Sequence, residues 1–443
     1  MTDVSSAVPT TDSPDTPPAQ VQVVAAPARG LRALEIDLRL FGMVVALAAI
    51  LIGFGIVTEG RFIQPVNIVN LAVQSVSVAI IATGMTMIII SRNIDLSVGS
   101  LVGVVGMTMA VLMTRTLPNL IGFDHPAMWI ISLAIALALG GLMGGLQGSV
   151  IAYLGVPSFI VTLGGLLIFR GVTWAITRGV TISPVDPTFR LLGGGPRGSI
   201  GGTASWVVGG TFCLAIVGLL TSGRRQRRRF GFPVRPMWAE VLVGTVGCAL
   251  VLSVVWVFNS YLWPEGLVRQ YAEANDIVVP EEGLRIEAGV PWPVLVLIAV
   301  TIGMNFIATR RRFGRYVFAI GGNPEAAELG GINTRWTIMK NYILIGMLCG
   351  LSASIAAARL DGATLDLGQG YELYVIAASV VGGTSLAGGI GTIPGAVLGA
   401  FVMSALSYGL SFIGLQSPIQ DIVAGTVLVI AVGLDTYNRR RAR

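Results

Sequence analysis

Residues 125–169 read HPAMWIISLAIALALGGLMGGLQGSVIAYLGVPSFIVTLGGLLIF, forty-five consecutive residues without Asp, Glu, Lys or Arg. A helix rises about 1.5 Å per residue and the hydrocarbon core of a bilayer is about 30 Å thick, so roughly 20 apolar residues cross it. This stretch can cross twice, and so can the uncharged run 373–420. Shorter uncharged runs fill most of the remaining chain. Together they predict about twelve spans: 40–57, 67–90, 98–113, 127–153, 158–176, 205–222, 237–258, 291–308, 342–359, 374–390, 394–413 and 418–434.

Composition agrees. Of 443 residues, 53% are hydrophobic and 12% charged, with a mean hydropathy of +0.78. A soluble domain carries about 25% charged residues, roughly twice this density. The 58 glycines suit close helix packing in lipid. A soluble enzyme, a disordered chain and a disulfide-rich secreted domain are excluded. The fold class expected is an all-α polytopic membrane protein with interrupted half-helices.

Charge orients it. The 223–236 loop carries Arg224, Arg225, Arg227, Arg228, Arg229 and Arg235; the 309–341 loop carries Arg310, Arg311, Arg312, Arg315, Arg335 and Lys340; the C-terminus carries Arg439, Arg440, Arg441 and Arg443. Twelve spans with cytoplasmic N- and C-termini place all three segments in the cytoplasm, as the positive-inside rule requires. The acidic 259–290 loop, with Glu265, Glu273, Asp276, Glu281, Glu282 and Glu287, then falls outside. The arginines form no single basic face, so a nucleic-acid partner is not expected. Residues 1–30 hold five prolines and read as a disordered tail without the positive start of a secretory signal. The transmembrane domain occupies 31–443.

Two polar interruptions break the apolar pattern. In Met85–Ser100 the apolar sequence gives way to Arg92, Asn93, Asp95, Ser97 and Ser100. Asp95 and Ser97 precede a glycine-rich apolar run and read as N-cap residues of a half-helix starting inside the protein; Arg92 could instead pair with Asp95. In Gly382–Gly395 six glycines, Thr384, Ser385 and Pro394 interrupt the 373–420 run. Paired interruptions in two halves of a chain point to a transport path; glycine-mediated packing alone is the other reading. The candidate path residues are Asn93, Asp95, Ser97, Ser100, Thr384 and Ser385.

The 309–341 loop contains a self-contained element. Asn323 suits an N-cap, Pro324 the first helical position, and Glu325 the positive helix end. Gly330 supplies a stop. A helix of about two turns is marginal alone in water, so a partner should pack on it. The alternative is that it lies along the membrane surface.

Ile94–Ser100, Pro157–Gly164, Gly321–Ala327, Gly368–Leu373 and Gly382–Gly389 together resemble, in order, segments of bacterial ABC-importer permeases of the ribose/xylose sugar class. The resemblance covers about 60–436 and is strongest to the xylose-type members, which also carry an arginine-rich loop and an extra helix pair, here about 205–258. It implies a permease homodimer or pseudo-dimer in the lipid bilayer, a cytoplasmic ABC ATPase subunit and an extracytoplasmic sugar-binding protein. It also implies that the helix after Gly322 couples to the ATPase, through Gly322, Asn323, Pro324, Glu325, Ala326, Ala327, Gly331 and Asn333. Two departures stand out: Ser91-Arg92-Asn93 replaces small glycine-rich residues, and Tyr374 replaces an acidic residue.

No P-loop is present, because the lone Lys340 follows Met339. His125 is the only histidine, so histidine-based metal or triad chemistry is not expected, nor is any cofactor. Cys213, Cys248 and Cys349 have no motif spacing and read as buried apolar residues. Arg170 either lines the path or snorkels to the outer surface. A secondary sugar transporter coupled to protons or sodium stays open as the alternative, although it would want a relay of buried carboxylates. A membrane-embedded enzyme would need a catalytic constellation not evident here.

Overall fold

The structure is a computed structural model that describes residues 37–122, 125–278, 280 and 283–442. The expected tail and Glu281 and Glu282 of the acidic loop lie outside the described residues. The helices are α1 (Leu38–Val57), α2 (Pro65–Ile90), α3 (Val98–Val111), α4 (Leu117–Ile121), α5 (Met128–Tyr153), α6 (Ser158–Thr177), α7 (Pro187–Arg190), α8 (Gly202–Arg229), α9 (Met237–Asn259), α10 (Glu265–Ala274), α11 (Trp292–Arg310), α12 (Arg312–Gly322), α13 (Pro324–Leu329), α14 (Thr334–Leu360), α15 (Tyr371–Val381), α16 (Ile393–Phe412) and α17 (Ser417–Ala442). Among the described residues extended pairing is limited to three isolated bridges. Among the described residues ten helical stretches are long and apolar enough to cross a membrane, and Tyr371–Val381 and Ser417–Ile430 are shorter apolar helices. Every expected span overlaps one of these twelve.

The core is α2. It is apolar all round and buried nearly throughout, as a helix enclosed by other helices should be. α14, α16, α15 and α11 surround it. The most extensive interface is α5 on α14, and glycine explains it. A Cβ on Gly140 or Gly144 would strike the carbonyls of Gly346 or Tyr342, and one on Gly350 would strike Ala136. The backbones touch directly, which only residues without a side chain allow. By contrast, α1, α8 and α9 are largely exposed and form the lipid-facing periphery.

Two boundaries differ from expectation. The expected span 374–390 is an 11-residue helix, α15, about 16 Å long and half of what a bilayer requires. Its other half is the irregular segment 361–370. Ala363 pairs with Ile182 beyond the outer end of α6, whereas Gly368 is packed on Gly99 at the opposite end of α3. The chain thus dips back through the bilayer without helix, against glycines 99, 103 and 106. Such backbone survives at membrane depth only when protein surrounds it. The second difference is α12, read from sequence as arginine-rich loop. Gly314, Val317, Ile320 and Gly321 recur on one buried face, so an amphipathic helix lies between α11 and α13.

Candidate functional site

The connection between α2 and α3 is built from polar residues threaded among helices. Asp95 is 1% exposed, and its Oδ1 accepts from Ser97 N at 2.8 Å and from Ser97 Oγ at 2.7 Å. Ser97 Oγ is also 3.0 Å from Gln147 Oε1, two acceptors for one proton, while Gln147 Nε2 is buried without a partner. Turning the amide over gives the Ser97 proton a single acceptor. Nε2 then donates to Ser97, and Ser97 donates to Asp95.

Asp95 is therefore not the N-cap of α3. The cap position is Ser97, whose side chain makes no capping bond; Asp95 instead folds the turn ahead of it, holding the Ser97 amide. Ser100 Oγ donates to Ser97 O at 2.9 Å, and Asn93 Nδ2 donates to Ser91 O at 2.9 Å. Around them, Thr162 of α6 and Tyr342 of α14 approach the Ile94 carbonyl, each at 3.4 Å. Asn341 Nδ2 donates to Met87 O at 2.9 Å.

Arg92 does not pair with Asp95. It stands at φ +62°, the left-handed region that costs a non-glycine residue about 1 kcal/mol. Its Nε donates to Gly321 O at 2.7 Å and its Nη2 to Gly322 O at 2.6 Å. These are the last carbonyls of α12, which have no partner within the helix and carry its negative dipole end. A charge-assisted bond contributes on the order of 1.5–3 kcal/mol when sheltered, so the partly buried bond to Gly321 alone can offset the strain.

The second interruption closes on the same junction. Gly389 N donates to Ile90 O at 2.9 Å, and Gly388 lies against Arg92 Cγ and the Gly321 carbonyl. Thr384 and Ser385 are both buried. Thr384 Oγ1 reaches Thr86 Oγ1 at 3.5 Å, and Ser385 Oγ accepts from Ala387 N at 3.1 Å. The interrupted segments thus meet through Ile90, Arg92, Gly388 and Gly389. Among the described residues, no hydrogen bond links Asp95 or Ser97 to Thr384 or Ser385.

The short helix α13 follows the junction directly. Asn323 Oδ1 accepts from Ala326 N at 3.1 Å, with Pro324 in the first turn. At its other end Gly331 N donates to Glu328 O at 2.9 Å and Ile332 N to Ala327 O at 3.1 Å. This is a Schellman ending, with φ +82° at Gly331; Gly330 is helical-side, so the left-handed stop falls one residue later than expected. Asn333 then caps α14 through Trp336 N at 2.9 Å. Ala327 is buried, whereas Glu325, Ala326 and Glu328 are exposed and Leu329 is 90% exposed. Both ends are fixed and the outer face is bare.

Further polar groups complete the picture, and sequence reading passed over Gln147, Asp366 and Gln369 among them. Gln147, the single amide side chain in α5, carried a usable signal: a polar residue inside an apolar span. Asp366 and Gln369 are exposed and Glu372 is partly buried on the re-entrant segment and the start of α15, with the Glu372 carboxylate occupying the space beside Gly99. Arg170 is exposed on α6. His125 Nδ1 accepts from Ala127 N at 3.1 Å, next to the start of α5. No group of three metal-ligating side chains occurs among the described residues.

The profile of the branched-chain amino acid transport system / permease component family matches residues 67–432. The xylose transport system permease protein XylH of Escherichia coli is 34% identical over 426 residues, 96% of this chain and 99% of that protein. XylH of Haemophilus influenzae is 34% identical over 411 residues, 92% of this chain and 98% of that protein. The ribose import permease protein RbsC of Escherichia coli is 31% identical over 392 residues, 88% and 92% of the two chains. No solved structure matches the chain.

Proposed function

Since the chain belongs to the branched-chain amino acid transport system / permease component family, we propose that it forms the membrane path of an ATP-driven importer for a monosaccharide, with a pentose such as xylose as the substrate. The relatives named for xylose and ribose transport align over nearly their full lengths. The observation that carries the reading is α13. A six-residue helix capped at both ends, presenting Glu325, Ala326, Glu328 and Leu329 outward, lies on the arginine-rich face and is built to be gripped by another protein. That protein is a cytoplasmic ATPase subunit.

Substrate arrives from an extracytoplasmic sugar-binding protein, and two copies of the permease enclose the path. Asp366, Gln369 and Glu372 are carboxylate and amide groups on non-helical or half-helical backbone at membrane depth. Lipid would leave them without partners, whereas a water-filled path and sugar hydroxyls would not. Asn93, Asp95, Ser97 and Ser100 shape the inner end of α3, and Thr384 and Ser385 brace the facing loop. Alternating access moves these segments between two packings, biased by the ATPase through α13 and the Arg92 junction.

The test is sugar uptake into vesicles holding the whole importer. Uptake should stop when the ATPase subunit is made hydrolytically dead. Uptake that continues and collapses with an ionophore would instead establish a secondary transporter.

A further inference from the structure

The extra hairpin of α8 and α9 stands at the edge of the bundle. α8 packs on α9, and α9 reaches α2 near its outer end, where Phe258 clusters with Val69 and Val73. The inner halves of the two helices therefore border lipid. Between them runs an apolar groove of about 620 Å³, lined by residues that include Leu220, Met237, Gly244, Cys248 and Ala249. Small side chains on α9 opposite leucine on α8 leave this groove open. Its α9 wall runs from Met237 to Leu252, fifteen helical steps or roughly 22 Å, more than the half-thickness of a bilayer core.

The mouth of the groove is basic. α8 has 28 residues, about 42 Å, and so overshoots a 30 Å core by several residues at its arginine-bearing end. Arg224 lines the groove and bonds Glu240 Oε2 at 2.6 Å and Arg235 O at 3.1 Å, fastening the hairpin there. Val217, Leu220, Thr221 and Arg224 line one face of α8; the same periodicity continues to Arg228. Arg228 is exposed, as are its neighbours Arg225 and Arg229. Phe230 and Phe232 are exposed beside them. Residues 223–240 hold six arginines against Glu240, a net +5.

We propose that this hairpin binds an anionic phospholipid of the cytoplasmic leaflet, with an acyl chain in the groove and the headgroup phosphate on Arg228, flanked by Arg225 and Arg229. Depth and charge select this occupant. A soluble partner cannot enter a groove at bilayer depth, a neutral lipid would leave the exposed Arg225, Arg228 and Arg229 without a net negative charge to match them, and a free phosphate would leave the groove empty. Guanidinium groups suit phosphate because they offer paired donors, and a cluster of four to eight basic residues just inside a span attracts anionic lipid.

The purified full-length chain is to be placed in nanodiscs of phosphatidylcholine with graded phosphatidylglycerol, and retained lipid measured by native mass spectrometry. The chain should retain phosphatidylglycerol over phosphatidylcholine, and added inorganic phosphate should not displace it. Arg225→Gln with Arg228→Gln, which leaves four arginines to hold topology, should weaken phosphatidylglycerol retention about twenty-five-fold, at about five-fold per arginine. Ala249→Trp fills the groove from an exposed position and should reduce retention while leaving the arginines in place. Equal retention of the two lipids, no effect of Ala249→Trp, or displacement by phosphate would overturn the proposal. So would an arginine variant that keeps its lipid but loses the ATPase subunit, because the arginines would then serve a protein.

Discussion

Arg92 Nε donates to the Gly321 carbonyl at 2.7 Å, joining the turn after α2 to the last residues before α13 across more than two hundred residues of chain. One guanidinium therefore ties the polar connection carrying Asp95 to the element offered to the ATPase. Replacement by glycine removes the two bonds and also the left-handed strain, so the fold should change by no more than about 1–2 kcal/mol. Replacement by alanine removes the bonds and keeps the strain. Arg92→Gly should reach the membrane at normal levels but transport less sugar per ATP hydrolysed, and Arg92→Ala should in addition melt lower. An unchanged transport-to-ATP ratio in Arg92→Gly would remove the junction from the coupling route.

Glu325 lies in the first turn of α13, where a carboxylate favours the positive end of the helix. Glu325→Lys opposes that dipole and reverses charge on the exposed face. Insertion and folding should survive, since the side chain is exposed. Hydrolysis and uptake should separate in the reconstituted importer; coupled uptake at the normal rate would discard the assignment of α13.

Asp95 Oδ1 has two donors from Ser97. Asp95→Asn keeps a carbonyl oxygen for them and should transport with an unaltered pH profile. Asp95→Ala leaves the Ser97 amide without its acceptor in a buried turn, at a cost of about 1–3 kcal/mol, and should lower the melting midpoint. A pH dependence of uptake present in the parent and lost in Asp95→Asn would mean that the carboxyl carries a proton.

Gly144 has the Tyr342 carbonyl where its Cβ would be. Gly144→Ala should therefore push α5 from α14 and destabilise the fold by about 1–3 kcal/mol, read as a lower melting midpoint in detergent. Gly210→Ala, with nothing within 4 Å of the added carbon, should leave it unchanged. Equal effects at the two sites would mean that the glycines are not packing residues.

Much of this was legible from residues 125–169 and their counterparts. Span positions and helical class follow from apolar run length, because bilayer thickness and backbone hydrogen bonding leave the chain few alternatives. Asn323 and Pro324 were equally legible, since capping is local chemistry. α12 was hidden because arginines interleave its apolar face. α15 was hidden because a run without charge gives no sign of where its helix stops.

The remainder depends on contacts distant in sequence. Nothing near Arg92 reveals that its partners are Gly321 and Gly322, and nothing near Ser97 reveals Gln147. Likewise, the groove between α8 and α9 exists only when the small residues of one helix meet the other. Local hydrophobicity specifies that a segment enters the bilayer; the direction in which its polar groups point is set by the neighbours that satisfy them there, where water does not.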